Sequence, residues 1–304
     1  MLKKPSIFLF SVLSSAIFLS ACQPKAPAEQ SSSEPAASEV VPEPIRLTAS
    51  NQKLNINLPV CKGNDCSEFM VERLQSNQAY VDQAIDAAIL KILSETLSDA
   101  PLKAVEQSAS EAIVTSEQSK MEQQLQPYTQ AFLTLDQELK ALSAGHPISV
   151  TVRPQILQAT APVATVVLNS SSYLGGAHGS SSQQYFNFDL NQQKQISLQD
   201  ILLPQQEAVL KAKAYDAFKT WVLETELADN VSEYEQAWPF SMTNNFYLAK
   251  PGLILQYAEY EIGHYVVGLP RLVIPYTELK GVLKPEYVTE DVQAAWAEAA
   301  SEAK

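Results

Sequence analysis

The chain has 304 residues, 46% of them hydrophobic and 18% charged, with a formal net charge of −13, three Cys and nine Gly. That apolar content excludes a wholly disordered chain, the glycine count excludes collagen, and the acidic balance excludes non-specific nucleic-acid binding. What remains is a folded acidic protein of one or two domains, by the soft prior of about 100 to 200 residues per domain.

Met1, Lys3 and Lys4 make a basic start, followed by the apolar run IFLFSVLSSAIFL and the small residues Ser20 and Ala21 before Cys22. The run is too short to span a bilayer and has the length of a signal-peptide core. The tetrad Leu19-Ser20-Ala21-Cys22 resembles a bacterial lipobox. The resemblance implies that Cys22 becomes the first residue of the mature chain and carries lipid on its sulfur and amine. Each buried methylene contributes about 0.8 kcal/mol, so two or three palmitate-type chains hold a protein stably on a membrane. Gln23 follows the Cys where an Asp would mark retention at the inner membrane. The expected location is therefore the outer membrane, facing the periplasm. Loss of Lys3 and Lys4 leaves 19 basic against 34 acidic residues, a surface suited to cationic partners as well as to solubility.

Residues 23–44, QPKAPAEQSSSEPAASEVVPEP, contain no aromatic residue and no period. They cannot bury enough apolar surface to offset chain entropy, and read as a disordered tether reaching on the order of 25 Å. LNINLPV, 54–60, alternates as an edge strand would. Cys61 and Cys66 flank the polar loop KGND. In an oxidising compartment they are expected to form a disulfide contributing about 2 kcal/mol. A metal site is the other reading, but no further Cys or His lies nearby to complete a tetrahedral shell.

From Ser67 the pattern reads as helical, and Val81, Ile85, Ile89 and Ile92 share one face. After Pro101 a long polar helical segment is expected to about Ala144, with Leu125, Tyr128, Phe132, Leu135, Leu139 and Leu142 as one buried stripe. Its rhythm lasts under three heptads, which favours packing within the chain over a coiled coil with a partner. After Gly145-His146-Pro147 three β-branched runs, ISVTVRPQILQAT, PVATVVLNSSSYLGG and SSQQYFNFDL, predict an antiparallel meander. A helix follows Pro204, with Leu210, Ala214, Phe218, Trp221 and Thr225 on one side. Phe246–Lys250 and Leu253–Tyr257 form a hairpin about Pro251-Gly252, and Leu272–Pro275 a last strand. Thr289, Glu290 and Asp291 suit a helix N-terminus, with Val292 and Trp296 as its apolar contacts. The expected fold class is α+β: a mostly antiparallel sheet packed against helices, with a helical insertion and a disordered N-terminal tether.

Six of the nine glycines fall in two segments, Gly175, Gly176 and Gly179 in YLGGAHGSSS, and Gly252, Gly263 and Gly268 in PGLILQYAEYEIGHYVVGLP. The same segments hold His178 and His264. GGAHG has neither the spacing of a dinucleotide fingerprint nor the Lys-Ser/Thr pair of a phosphate loop. His178, Glu259, Glu261 and His264 could supply acid, base or metal ligands if the two turns meet. The competing reading gives both His residues structural roles, such as bonding turn carbonyls. Ser180 to Ser182 beside His178 lack an elbow motif and an oriented third member, so no catalytic residue is assigned. Tyr257, Tyr260 and Tyr265 are candidate anchors for a protein or sugar surface.

GGAHG followed by the strand YFNFDL, then ISLQDIL, then FYLAKPGLILQYAEYEIGHYVVGLPRLVIPYTEL, resembles the RsiV-like family. This is the domain of unknown function shared by the anti-sigma factor RsiV and the accessory domain of the peptidoglycan deacetylase PdaC. The resemblance covers residues 148–283, and 54–97 resembles the small companion domain that precedes it. The expected organisation is a lipoprotein signal peptide (1–21), a lipid-anchored linker (22–47), a strand-helix companion domain with a helical insertion (48–147), the RsiV-like α+β domain (148–285) and a helical tail (286–304). RsiV binds lysozyme through this region. The resemblance thus implies a non-catalytic binding module for a cell-wall-related partner, a lysozyme-like basic protein or peptidoglycan. Neither sigma-factor binding nor deacetylase chemistry carries over to these residues. The expected binding residues are Gly175, Gly176, His178, Tyr257, Tyr260, Glu261, His264 and Tyr265, without cofactor, metal or nucleic acid. The alternatives are a hydrolase or metal-dependent enzyme using His178 and His264, and a structural envelope lipoprotein that assembles through its helical stripe.

Overall fold

The order of the β-branched runs dictates a sheet, and the computed structural model, which describes residues 44–63, 65–97, 116–142 and 146–302, contains two of them. The signal peptide, Cys22 and nearly all of the tether lie outside the described residues. The larger sheet has six strands in chain order: β1 (Ala49–Lys53), β2 (Glu68–Ser76), β3 (Ser149–Gln158), β4 (Val163–Tyr173), β5 (Ser180–Asp189) and β6 (Lys194–Ile196). All neighbours are antiparallel except β2 and β3, which run parallel. A parallel pair needs a long crossover, supplied here by α1 (Ala79–Thr96), α2 (Glu117–Gln124) and α3 (Gln126–Ala141). The boundary expected at 147/148 therefore lies between two hydrogen-bonded strands of one sheet.

The expected meander is present as β3 to β5. Residues 163–168 of β4 are buried on both faces. Ala164, Val166 and Leu168 face the core shared with α1 to α3, while Val163 faces a second core built on α4 (Glu207–Glu224). A strand covered on both sides becomes continuously apolar instead of alternating, which explains the run VATVVL.

The smaller sheet consists of β7 (Phe246–Ala249), β8 (Gly252–Gln256) and β9 (Arg271–Pro275), joined antiparallel, as the hairpin and last strand predict. Helix α4 lies on it through Leu210, Ala214, Phe218 and Val222. Val222 takes the fourth buried place, and Thr225 is the exposed C-cap. The short helices α5 (Val231–Ala237) and α6 (Tyr276–Leu279) and the terminal α7 (Glu290–Glu302) complete this half. Trp296 of α7 is buried, with Val292 packed beside it, as expected.

Side-chain amides connect the sheets. Asn245 accepts the Tyr185 N–H at 2.8 Å and donates to the Gln183 carbonyl at 2.7 Å, and Asn187 donates to the Phe246 carbonyl at 2.7 Å. An amide presents the same donor and acceptor as a peptide unit, so Asn245 continues the β5 edge where β6 ends.

Three further expectations are corrected. Residues 54–60 are not a strand, and the edge strand precedes them at 49–53. Leu54 is buried and donates its N–H to the Val71 carbonyl, after which the chain leaves the sheet toward the Cys61–Cys66 disulfide. The segment after Ser67 is β2 rather than a helix start, and the helix begins at Ala79. Phe69, Val71 and Arg73 alternate inward there, and the charge at the third place conceals the period of two. The long segment ahead of Ala144 is two helices within the described residues, with Pro127 in the first turn of α3, a position that tolerates its missing N–H. Leu125 and Phe132 of the stripe are buried, Tyr128, Leu135 and Leu139 pack partly against the core, and Leu142 is exposed. Phe132 stacks on Phe69 at 5.1 Å, so the stripe serves the chain's own sheet. Residues 98–115 and 143–145 lie outside the described residues.

Candidate aromatic site at the meeting of two turns

The β4–β5 connection carries GGAHG, and Gly175 and Gly176 have φ of +87° and +102°, which side chains rarely adopt. At the other turn β8 ends at Gln256 and the chain folds back through residues 257–268, with Tyr260 itself at φ +63°. Gly268 ends a 3-10 turn, Tyr265–Val267, in which the Tyr265 and Val266 side chains are exposed. The two glycine-rich segments meet.

Glu259 makes the junction. Its Oε2 accepts the Ser180 hydroxyl and its Oε1 the Ser181 N–H, both at 2.9 Å. Beside it, His178 Nδ1 lies 2.9 Å from the Gly179 carbonyl and Nε2 lies 3.2 Å from the Tyr260 hydroxyl. A carbonyl only accepts, so these partners place the proton on Nδ1 and leave Nε2 to accept from Tyr260. Tyr265 stacks on the imidazole at 3.9 Å between centroids and donates to the same Gly179 carbonyl at 3.1 Å. Tyr260 and Tyr265 rings are 5.8 Å apart. The result is a platform of one imidazole and two phenols, with Tyr260 50%, Tyr265 37% and the neighbouring Val266 83% exposed.

The remaining expected residues have other places. Tyr257 is buried, donates to the Ser241 carbonyl at 2.9 Å, and has its ionisation pushed far up by burial. It belongs to the core rather than to the surface. Glu261 accepts the Ala258 N–H at 2.8 Å and staples its own turn. His264 is exposed, 6.5 Å edge-on from Trp238, and makes no contact with His178. Residues 258–263 are not extended, so Glu259 and Glu261 do not act as a pair on a strand face. Among the described residues no three His, Cys, Asp or Glu side chains are grouped to hold a metal.

Glu259 and Gly179, both singled out in the sequence, hold the two turns together rather than lining the aromatic surface. Gly179 is close-packed, since a Cβ there would stand 2.8 Å from the Ser172 carbonyl oxygen. Removing the Glu259 carboxylate frees one hydroxyl and one N–H at a partly exposed place. Glu259→Ala is expected to cost about 1 kcal/mol of stability and to speed hydrogen exchange at Ser181 by about tenfold or more, read by NMR. Unchanged exchange would show that the carboxylate does not couple the turns.

Residues 199–277 match a family model described as "Protein of unknown function (DUF3298)". The match includes the second turn and ends before α7, and GGAHG lies upstream of it. Two solved structures of DUF3298 family proteins share the fold. One, from Pseudomonas aeruginosa PAO1, is 24% identical with a TM-score of 0.57, covering 82% of this chain and 99% of that one. The other, from Bacteroides fragilis NCTC 9343, is 15% identical with a TM-score of 0.52, covering 79% and 93%. At these identities the likeness is of fold alone. No curated protein matches the chain.

Proposed function

We propose that this chain is a non-catalytic binding module of the bacterial envelope, held on the outer membrane by lipid on Cys22, and that it recognises a cell-wall-related partner through the His178–Tyr260–Tyr265 platform. The single observation that carries the reading is the convergence of the two glycine-rich turns on one exposed aromatic surface. Stacked phenols offer large contact area at little entropic cost, with hydroxyls that adapt to a partner.

The chemistry of the site favours binding over turnover. Glu259 is engaged in joining the two turns, Glu261 bonds its own turn, and each nitrogen of His178 has a protein partner, so these groups serve to hold the aromatic surface in place. The net charge of −13 complements a basic protein better than a glycan, and the motif resemblance to the RsiV-like family points to a lysozyme-like partner.

The test is capture of hen lysozyme and, separately, of purified peptidoglycan by the immobilised protein at low and physiological salt. Lysozyme capture is expected to weaken with salt, as surface electrostatics do. Tyr260→Ala and Tyr265→Ala are each expected to lower affinity by about thirtyfold, the effect of an interfacial aromatic anchor. Absence of capture at both salts would defeat the lysozyme version, and peptidoglycan capture sensitive to the same variants would replace it.

A further inference from the structure

The second core is incomplete. Between the start of β4, the β7–β8 turn, α6 and α7 lies a cleft of about 570 Å³, within the range of small-molecule sites. None of the platform residues lines it. Its walls are mainly apolar, with Val163, Leu248, Val292, Ala295 and Trp296 among them. Trp296 is fixed from both ends, its indole N–H donating to the Tyr276 carbonyl at 2.8 Å and its own carbonyl accepting from Lys280 Nζ.

Tyr276 also lines the cleft, and its hydroxyl has no hydrogen-bond partner among the described residues. Among the described residues only Tyr80 has a polar side-chain atom both unpartnered and sealed from solvent. The Tyr276 hydroxyl is therefore not sealed from solvent. Burial pushes this phenol up to about 12, so it stays a neutral donor at physiological pH. The charged lining residues are Lys250, Lys280 and Asp291, none of them in an ion pair, so ammonium groups outnumber carboxylates two to one.

We propose that the cleft is a ligand site for a free single-chain carboxylate amphiphile, a fatty acid, whose chain lies against Val163, Leu248 and Trp296 and whose carboxylate accepts from Tyr276 and faces Lys250. Apolar walls supply the driving force through burial of methylenes, and an unpartnered phenol donor on a lining that carries two ammonium groups against one carboxylate favours an anionic acceptor over an alcohol. The inference is independent of the platform and stands or falls without it.

The probe is 11-(dansylamino)undecanoic acid titrated into the full chain by fluorescence, with palmitate and hexadecanol as competitors. One saturable site displaced by palmitate at least tenfold better than by hexadecanol is expected. Ala295→Trp, which fills the cleft from α7, is expected to weaken the probe by tenfold or more at an unchanged unfolding midpoint. Should that variant not fold, Ala299→Trp on the same wall takes its place. Tyr276→Phe is expected to narrow the preference for palmitate over hexadecanol to a few fold. No saturable binding, or binding indifferent to the filled cleft, overturns the site; equal displacement by acid and alcohol overturns its carboxylate chemistry.

Discussion

Gly252→Ala is expected to lower the stability of the protein by about 3 kcal/mol or more, or to prevent its accumulation, because the added methyl has nowhere to go. A Cβ at this position would stand 2.0 Å from the Ile274 carbonyl oxygen, 2.8 Å from its carbon and 3.0 Å from the Pro275 Cα. All three are backbone atoms of β9, so relief requires parting two paired strands rather than turning a side chain. The residue also has φ +156°, a second cost for any L side chain. Every residue of β8 is buried, which leaves no soft neighbour. Gly176→Ala is the control: its φ is +102° but its Cβ would meet nothing within 4 Å, so about 1–2 kcal/mol of backbone strain is expected there. Urea midpoints of both variants decide the matter, and a loss under about 1 kcal/mol at Gly252 would disprove the close approach of β8 and β9. Because β8 leads directly into Tyr257 and the second turn, weakening it is expected to loosen the platform as well.

Arg73→Met is expected to cost about 3–5 kcal/mol, the usual penalty for stranding one partner of a buried ion pair. Arg73 is 4% exposed. Its guanidinium holds Asp86 of α1 at both oxygens, Nε to Oδ1 at 3.1 Å and Nη2 to Oδ2 at 2.7 Å, and a third nitrogen reaches Gln52 at 3.3 Å. The pair joins the sheet to the first helix of the crossover. Asp82, one turn earlier, already has its carboxyl pushed up, chiefly by burial, and would lose a nearby positive charge. The double variant Arg73→Met/Asp86→Leu is expected to recover most of the loss, because two apolar side chains leave no charge uncompensated. Chemical denaturation of the single and double variants checks this, and a single variant within 1 kcal/mol of the parent protein would show that the pair is not sealed from water.

Much of the fold was legible in residue periods and turn residues. Val81, Ile85 and Ile89 announce a helix that is there, and Pro251-Gly252 between apolar runs announces a hairpin that is there. The failures share one cause, which is that a side chain's surroundings are set by distant segments. ASNQK shows no apolar alternation because it is an edge strand held by backbone pairing to β2. EFMVERLQS looks unlike a strand because its inward Arg is neutralised by an Asp 13 residues later in the chain.

The same division holds for the candidate site. By itself the sequence determined that glycine and histidine are concentrated in two turns, since the scarcity of glycine makes its placement informative. Only the tertiary structure decided that those turns touch, that Glu259 rather than Glu261 joins them, and that Tyr260 and Tyr265 face solvent while Tyr257 is core. The physical reason is the length of the loop between them. Residues 178 and 260 meet only after two sheets and α4 have been folded into place, and no local period in a sequence encodes a contact that long-range packing creates.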